Sequence, residues 1–454
     1  MKFYDRREEI KLCRKIMSSE KQEAFILYGR RRVGKTALIL ECTKNMNGIY
    51  FVGIKAPAPE ILKRFSKAVA AFLGMRGITF ENWESALRAI FEKATVDKLY
   101  LALDEFQYIV ESSPELPSIL QLLLDEYQYR SKLKLILCGS SMSFMEGILS
   151  YKNPLYGRAT ARLKLSPVRF EALKQFIPQY DYHQLLEVYS IVGGVPMYLN
   201  LWNGQKGIFE NVSDLFLKIG APLREEPLFI LMTELKEPRV FQSILEALSM
   251  GRNTSSQITS YAGFADSRKI QPYLRKLQEL SIIKRLLPAL LKNPRRTRNI
   301  RYEISDQLFR FWYRFIFPNI DRLEVGDSKT ILNAMRENFD QYVSFEFERQ
   351  AMIKSAEVMK ATRFGKLWKG AEEIDFAAQT EHGIVAGEFK WWRKKVGISV
   401  LYDLKRKSEK LSLKPQLYLL ASRAGFEEEL FKEKNLVLLV LDKKYGWKVL
   451  KNVN

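Results

Sequence analysis

The stretch Gly29-Arg30-Arg31-Arg32-Val33-Gly34-Lys35-Thr36 decides how the rest of the chain is read. It follows the apolar run Ala24-Phe-Ile-Leu-Tyr28 and leads into Ala37-Leu-Ile-Leu-Glu-Cys42, so the order is strand, glycine-containing loop, helix. In that setting backbone N–H groups turn inward at a helix N-terminus and cradle phosphate oxygens. The spacing is that of a P-loop, and it predicts that these residues bind ATP. Gly29 and Gly34 permit the turn, Lys35 reaches the β- and γ-phosphates, and Thr36 offers its hydroxyl to Mg²⁺.

Downstream, the pattern continues as a parallel sheet requires. Gly48-Ile-Tyr-Phe-Val-Gly53 reads as a second strand, helical segments follow at 58–74 and 83–95, and Lys98-Leu-Tyr-Leu-Ala-Leu103 runs into Asp104-Glu105. An apolar strand ending in two acids is a Walker B pattern. Asp104 is expected to hold Mg²⁺, and Glu105 to polarise the water that attacks the γ-phosphate. Leu133-Lys-Leu-Ile-Leu-Cys-Gly139 brings Ser140 and Ser141 to the same carboxyl edge, where ligands bind in doubly wound sheets. Ser140, or alternatively Ser141, is expected to sense the γ-phosphate, with a helix N-cap as the competing role. Arg158 lies in a loop before a fifth strand and reads either as an arginine finger for a neighbouring subunit or as a solvated side chain.

A chain of 454 residues is long for one core and at ~150 residues per domain suggests about three domains. Lys plus Arg number 73 against 52 Asp plus Glu, a net charge of +21, which favours a polyanionic partner, most simply double-stranded DNA. Hydrophobic residues make up 47%, enough to exclude a disordered protein. Cys13, Cys42 and Cys138 lack CxxC spacing, which argues against zinc and disulfides and for a reducing cytoplasm. No apolar run approaches the ~18 residues needed to span a bilayer, so no membrane partner is expected.

The opening Phe3-x-x-Arg6-x-x-Glu9, the loop 29–36, the box Leu103-Asp-Glu-Phe106 and Gly193-Gly194-Val-Pro196-x-Tyr198-Leu199 together resemble the archaeal-type ATPase family. That family lies in the STAND and AAA+ branch of P-loop ATPases and is related to archaeal origin-recognition ATPases. The resemblance covers residues 1–235. It implies an ATPase core at 1–165 and a helical lid at 166–235, in which Pro196 and its glycines line the adenine and sense the nucleotide state. A homo-oligomer formed on ATP binding is a further expectation. From the residues alone, Gly193-Gly194 breaks one helix and Pro196 starts another.

From about Glu237 the texture changes. Helical patterns at 240–248, 254–261 and 266–280 precede Ile282–Leu287, a basic loop with Lys292, Arg295, Arg296 and Arg298, and Asn299–Ile304. Three helices and a basic hairpin at 236–306 resemble a winged helix-turn-helix. Its third helix would enter the major groove with Arg268, Lys269, Tyr273, Arg275 and Lys276, while the wing touches phosphate. The same module can dock proteins instead. An aromatic helix at 309–317 opens a helical linker, 307–334.

In the last region, Glu373-Ile-Asp375, a turn at Glu381-His-Gly383, and Glu388-Phe-Lys390-Trp-Trp392 read as two joined strands. Strand alternation puts Glu388 and Lys390 on one face. Carboxylates on adjacent strands beside a lysine suit Mg²⁺-dependent phosphodiester hydrolysis. Residues 335–454 resemble the PD-(D/E)XK nuclease superfamily, and the nuclease-like domain fused to archaeal-type ATPases. The resemblance implies metal ligands at Asp375 and Glu388, a catalytic Lys390, and a helix acid at Glu346 or Glu348; Ile374 stands where proline is frequent. Trp391–Lys395 and Lys405–Lys407 add aromatics and positive charge suited to phosphate contact.

The expected fold is therefore α/β: a doubly wound P-loop ATPase with a helical lid, a winged helix-turn-helix, and an α/β restriction-endonuclease-like domain. The expected function is ATP hydrolysis coupled to DNA binding, with a Mg²⁺-dependent nuclease-like domain. A regulatory STAND-type ATPase whose nuclease-like domain binds without cutting is the alternative, and an initiator-like loader is a third possibility.

Overall fold

The computed structural model describes residues 4–452 apart from Arg76, Lys236, Lys292 and 294–296. Phe3 of the opening motif and Lys292, Arg295 and Arg296 of the expected wing lie outside the described residues. The chain forms two compact units, Met1–Val168 with Val195–Met197, and Arg169–Gly194 with Tyr198–Asn454.

In the first unit, strands β1 (Glu23–Tyr28), β2 (Gly48–Val52), β3 (Tyr100–Asp104), β4 (Lys134–Gly139) and β5 (Ala161–Lys164) form a sheet in the order β2-β3-β4-β1-β5. All its pairs are parallel. A parallel sheet needs both faces covered, and β1 shows how the sequence meets that need. Ala24, Ile26 and Tyr28 join one core with the helices Ala58–Phe72, Trp83–Val96 and Leu116–Glu126. Phe25 and Leu27 join a second core with Arg7–Ser18 and Lys35–Thr43. Each Leu or Ile buried in these layers contributes about 1.5–3 kcal/mol. The doubly wound arrangement follows from near-continuous apolar strands.

In the second unit, the helix Tyr182–Val192 starts at a capping box between Asp181 and Gln184 and stops at Gly193. Gly193 has φ +64°, a left-handed backbone that favours glycine. The helices Pro238–Ser249, Ser255–Tyr261 and Ser267–Glu279 follow, burying Ile244, Leu245, Ile258, Ile270, Leu274 and Leu277. An antiparallel pair, β6 (Ile283–Leu286) and β7 (Arg301–Ile304), completes this module. The aromatic stretch forms the helix Gln307–Phe311 and one π-helical turn, Trp312–Ile316, with Phe309, Phe311, Trp312 and Tyr313 buried.

One boundary moves. The linker expected to end at 334 instead runs into a continuous 31-residue helix, Ser328–Val358. Asp327 caps it through the Thr330 N–H at 3.2 Å, and neither Gly nor Pro interrupts it. Beyond it lies a six-stranded mixed sheet in the order β13-β12-β11-β10-β9-β8. Its strands are β8 (Arg363–Lys369), β9 (Glu372–Thr380), β10 (Gly383–Lys390), β11 (Leu417–Ser422), β12 (Leu436–Asp442) and β13 (Gly446–Lys451). β8, β9 and β10 form an antiparallel meander, β10 to β12 run parallel, and β13 returns antiparallel. The helix Ile398–Lys410 connects β10 to β11 and buries Leu401 and Leu404 against Ile374, Ala386 and Leu420. β8 and β13 are edge strands with few buried positions, which is why no apolar run announces them.

Candidate nucleotide and metal sites

The P-loop is shaped by close backbone approach. At Gly29 a Cβ would lie 2.3 Å from the Leu165 carbonyl oxygen, so no other residue fits beside the segment leaving β5. Gly34, with φ +96°, caps the helix Lys35–Thr43, and a Cβ there would meet no atom within 4 Å. Lys35 Nζ donates to the carbonyls of Gly29 at 2.8 Å and Arg30 at 3.0 Å. Burial holds this ammonium below the ordinary lysine range despite nearby acids, and a bound polyphosphate would reverse that. Val33 is buried, Arg32 adopts φ +72°, and Arg31 donates to the Tyr108 hydroxyl at 2.5 Å.

Arg6 fixes the loop from behind. It is buried and donates to the carbonyls of Val33 at 3.2 Å and Ser166 at 2.6 Å, with Glu9 pairing it at 3.0 Å. The opening motif thus supplies a brace for the loop, a role that its sequence position does not disclose.

At the carboxyl end of β3, Asp104 Oδ2 accepts from Thr36 Oγ1 at 2.9 Å and from the Tyr50 hydroxyl. Burial would raise the Asp104 carboxyl, but hydrogen bonds from Cys138, Tyr50, Thr36 and the Glu105 N–H hold it below the usual range. A hydroxyl and an ionised carboxylate in contact form a hard-oxygen donor set that suits Mg²⁺. Tyr50, on β2, went unremarked in the sequence, where it reads only as a strand aromatic. Glu105 has φ +51° and accepts from Ser140 Oγ at 2.7 Å and from Gln107. Ser140 therefore sits at this edge and holds Glu105, whereas Ser141 takes the N-cap position of Met142–Ile148.

Two further residues stand apart. Arg158 pairs with Asp125 at 2.8 Å and donates to the Pro154 and Tyr156 carbonyls at 3.1 Å, so it is not a loosely solvated side chain. Pro196 begins the helix Pro196–Leu201, and Val195–Met197 belong to the first compact unit.

In the second unit the last paired residues of the β9–β10 hairpin, Phe376 and Gly387, place Asp375 across from Glu388. Lys390 donates to Glu388 Oε1 at 2.8 Å, and Lys407, from the helix Ile398–Lys410, reaches the same oxygen at 2.9 Å. Glu388 Oε2 is buried with no hydrogen-bond partner. Asp375 accepts from the Phe389 N–H at 3.0 Å. Burial, with Glu348 and Glu388 nearby, pushes its carboxyl up to about 7. A register shift between Gly365 and Leu367 on β8 aims Lys366 at the group, 2.6 Å from Glu348, 3.4 Å from Glu373 and 3.9 Å from Asp375. Those acids hold Lys366 charged, well above its ordinary value, although burial opposes it.

The two candidate helix acids separate cleanly. Glu346 is fully buried and bound by Arg310 at 2.8 Å, Arg349 at 3.3 Å and Gln350 at 2.8 Å, a structural ion cluster. Glu348 faces β8 and joins the Asp375 group through Lys366. An unpartnered buried oxygen and a crowded carboxyl of raised pKa suit a divalent cation held by two acids and completed by substrate phosphate. Among the described residues, no three His, Cys, Asp or Glu are grouped to hold a metal unaided.

On the three-helix module, Arg268, Lys269 and Arg275 are exposed on Ser267–Glu279. Tyr273 is not on that outer face. Its ring packs 5.2 Å from Phe241 and 5.6 Å from Phe264, and its hydroxyl donates to Glu237 at 2.9 Å. Lys276 is half-buried and pairs with Glu279 at 3.3 Å. Among the described residues, no helix is long and apolar enough to cross a membrane.

Residues 3–201 match the model of an ATPase domain predominantly from Archaea, and 312–401 match a family of archaeal and bacterial proteins of unknown function. Among solved structures, the Walker-type ATPase paby2304 of Pyrococcus abyssi is 20% identical, with a TM-score of 0.49, covering 69% of this chain and 96% of its own. The ORC2 protein of Aeropyrum pernix is 14% identical, with a TM-score of 0.46, covering 70% and 94%. The uncharacterized protein MJECL04 of Methanocaldococcus jannaschii is 32% identical over 423 residues, 90% of this chain and 93% of its own. With that identity along nearly all of both chains and an archaeal ATPase domain at its start, the protein belongs to the family of MJECL04 and is an archaeal-type P-loop ATPase.

Proposed function

We propose that the protein hydrolyses ATP at the P-loop and uses the second unit to bind double-stranded DNA and cut it in a Mg²⁺-dependent reaction. The observation that carries this reading is the convergence of Asp375, Glu388, Lys390 and Glu348 on one hairpin edge, with an unpartnered Glu388 oxygen and an Asp375 carboxyl lifted to about 7. Asp375 and Glu388 would hold the Mg²⁺, which supplies charge neutralisation at the phosphodiester when bound. Lys390, hydrogen-bonded to Glu388, would position the attacking water. The hairpin and crossover topology of β8 to β11 supports a PD-(D/E)XK-like domain, and the module 238–304 supports a winged helix-turn-helix.

At the P-loop, Lys35 would bind the β- and γ-phosphates, Thr36 and Asp104 the Mg²⁺, and Glu105, held by Ser140, the attacking water. Pro196 would contact the adenine, and Arg158, on leaving Asp125, would reach a neighbouring subunit's nucleotide in an ATP-dependent oligomer. Such a protein would act in the cytoplasm, where ATP and DNA meet.

A second reading, a regulatory ATPase with a non-cutting domain, is favoured by one feature. Lys366, Lys390 and Lys407 already neutralise the acids that a metal would use. Incubating supercoiled DNA with Mg²⁺ or Mn²⁺, with and without ATP, separates the two. The nuclease reading predicts nicking that Lys390→Ala abolishes and that Lys35→Ala uncouples from ATP; absence of nicking alongside intact ATP turnover would establish the regulatory reading.

A further inference from the structure

A cavity of about 490 Å³ lies within the second unit, walled by β7, the helix Ser328–Val358, the second half of β8 and the start of β9. That volume is in the range of small-molecule sites, about 300–1,000 Å³. Glu348, Lys366 and Glu373, the outer members of the Asp375 group, form part of its wall, so the cavity abuts the candidate metal site.

Charge and shape narrow the ligand. The wall carries Arg301, Arg310, Arg314, Arg349 and Lys366 against Glu303, Glu348 and Glu373. The three acids are matched within the protein: Glu303 by Lys284 at 2.8 Å, Glu373 by Arg301 at 2.6 Å, and Glu348 by Lys366 at 2.6 Å. Arg314 is exposed, and its side chain makes no hydrogen bond or ion pair among the described residues. An unmatched guanidinium at the mouth of a cavity with surplus positive charge calls for an anion, and its planar fork suits phosphate.

The aromatic lining calls for a flat group beside that anion. Trp368 and Tyr342 are buried in the wall, with Arg301 4.7 Å and Arg310 5.2 Å from their ring centres. Phe345, also lining the cavity, is 51% exposed, an apolar ring on a helix face with nothing packed over half of it. Stacking on an aromatic ring beside a phosphate-binding arginine is how single nucleotides are held without base-specific contacts.

We infer that this cavity binds one nucleoside phosphate unit, its base against Phe345 and its phosphate on Arg314, next to the acids that would hold the metal. The inference deepens the nuclease reading by naming what occupies the wall of its site, and it is read by binding rather than by cleavage. A nucleotide within a DNA strand and a free mononucleotide share this chemistry.

Two probes distinguish the sources in full-length Lys35→Ala protein, whose P-loop no longer competes: thymidine monophosphate, followed by calorimetry, and a fluorescent oligothymidine, followed by anisotropy. Phe345→Ala and Arg314→Ala alter exposed side chains, and each should weaken binding about tenfold. Arg314→Ala should also lower the salt dependence of oligonucleotide binding by about one unit of slope. Weakening for both probes marks a site open to free nucleotide, and weakening for the oligonucleotide alone marks a site for the strand. Affinity unchanged by either substitution, or absence of binding by both probes, overturns the inference. If nicking persists while these variants bind normally, the inference fails and the nuclease stands; if binding falls as predicted but no DNA is cut, the reverse holds.

Discussion

Asp375 is where the chemistry of the second unit concentrates: a carboxyl enclosed by protein, with Glu348 and Glu388 adding negative charge around it. Because its pKa in the folded chain, about 7, exceeds the ordinary 3.8, the folded state holds this proton more tightly than the unfolded one. The associated stability is fully present below about pH 3.8 and is lost as pH rises from there to about 7. In metal-free buffer, thermal midpoints should fall between pH about 4 and about 7 and level off above that, and Asp375→Asn should flatten the fall. An equally steep decline in the variant would show that Asp375 is not the titrating group. Which helix acid belongs with Asp375 was not legible in sequence. Glu346 and Glu348 are two residues apart on one helix and so point to different sides, and only the positions of Arg310 and Lys366 decide between them. Tyr50 was missed because it stands on a different strand, far along the chain from Asp104, and Lys366 because nothing in an edge strand shows which acid it faces; Lys407 was read only as part of a basic run for phosphate contact.

At the scale of elements, legibility follows locality. The P-loop and the β9–β10 hairpin are continuous in sequence, so their spacing alone brings Gly29, Gly34 and Lys35, or Asp375, Glu388 and Lys390, to one place. β8 is an edge strand with a register shift, and nothing in Arg363–Lys369 discloses that it would aim Lys366 at an acid. The third helix of the module at 238–304 was legible as a helical pattern at 266–280, but not the place of Tyr273, whose ring packs on the neighbouring Phe241 and Phe264. Its outer face carries Arg268, Lys269 and Arg275. If these meet phosphates, replacing all three by Ala should weaken binding to duplex DNA and flatten the plot of log affinity against log salt by about 2–3, near 0.9 per lost contact. An unchanged slope in a salt titration would turn the module toward protein docking instead.

Across the whole molecule, a net charge of +21 on a P-loop ATPase points to a polyanion, but charge by itself names no site. What gives the charge a direction is the pairing of two separate hard-oxygen sites, one at Thr36 and Asp104 in the first unit and one at Asp375 and Glu388 in the second. The first serves a nucleotide, and the second matters only if it takes a cation of its own. Titration of Mn²⁺ into nucleotide-free, full-length protein, followed by electron paramagnetic resonance, tests this most directly. The account predicts a Mn²⁺ site that persists in Asp104→Asn and disappears in Asp375→Asn. Binding that survives Asp375→Asn unchanged, or no Mn²⁺ bound by the parent protein, would contradict it and leave the acids of β9 and β10 as ion-pair partners for Lys366, Lys390 and Lys407.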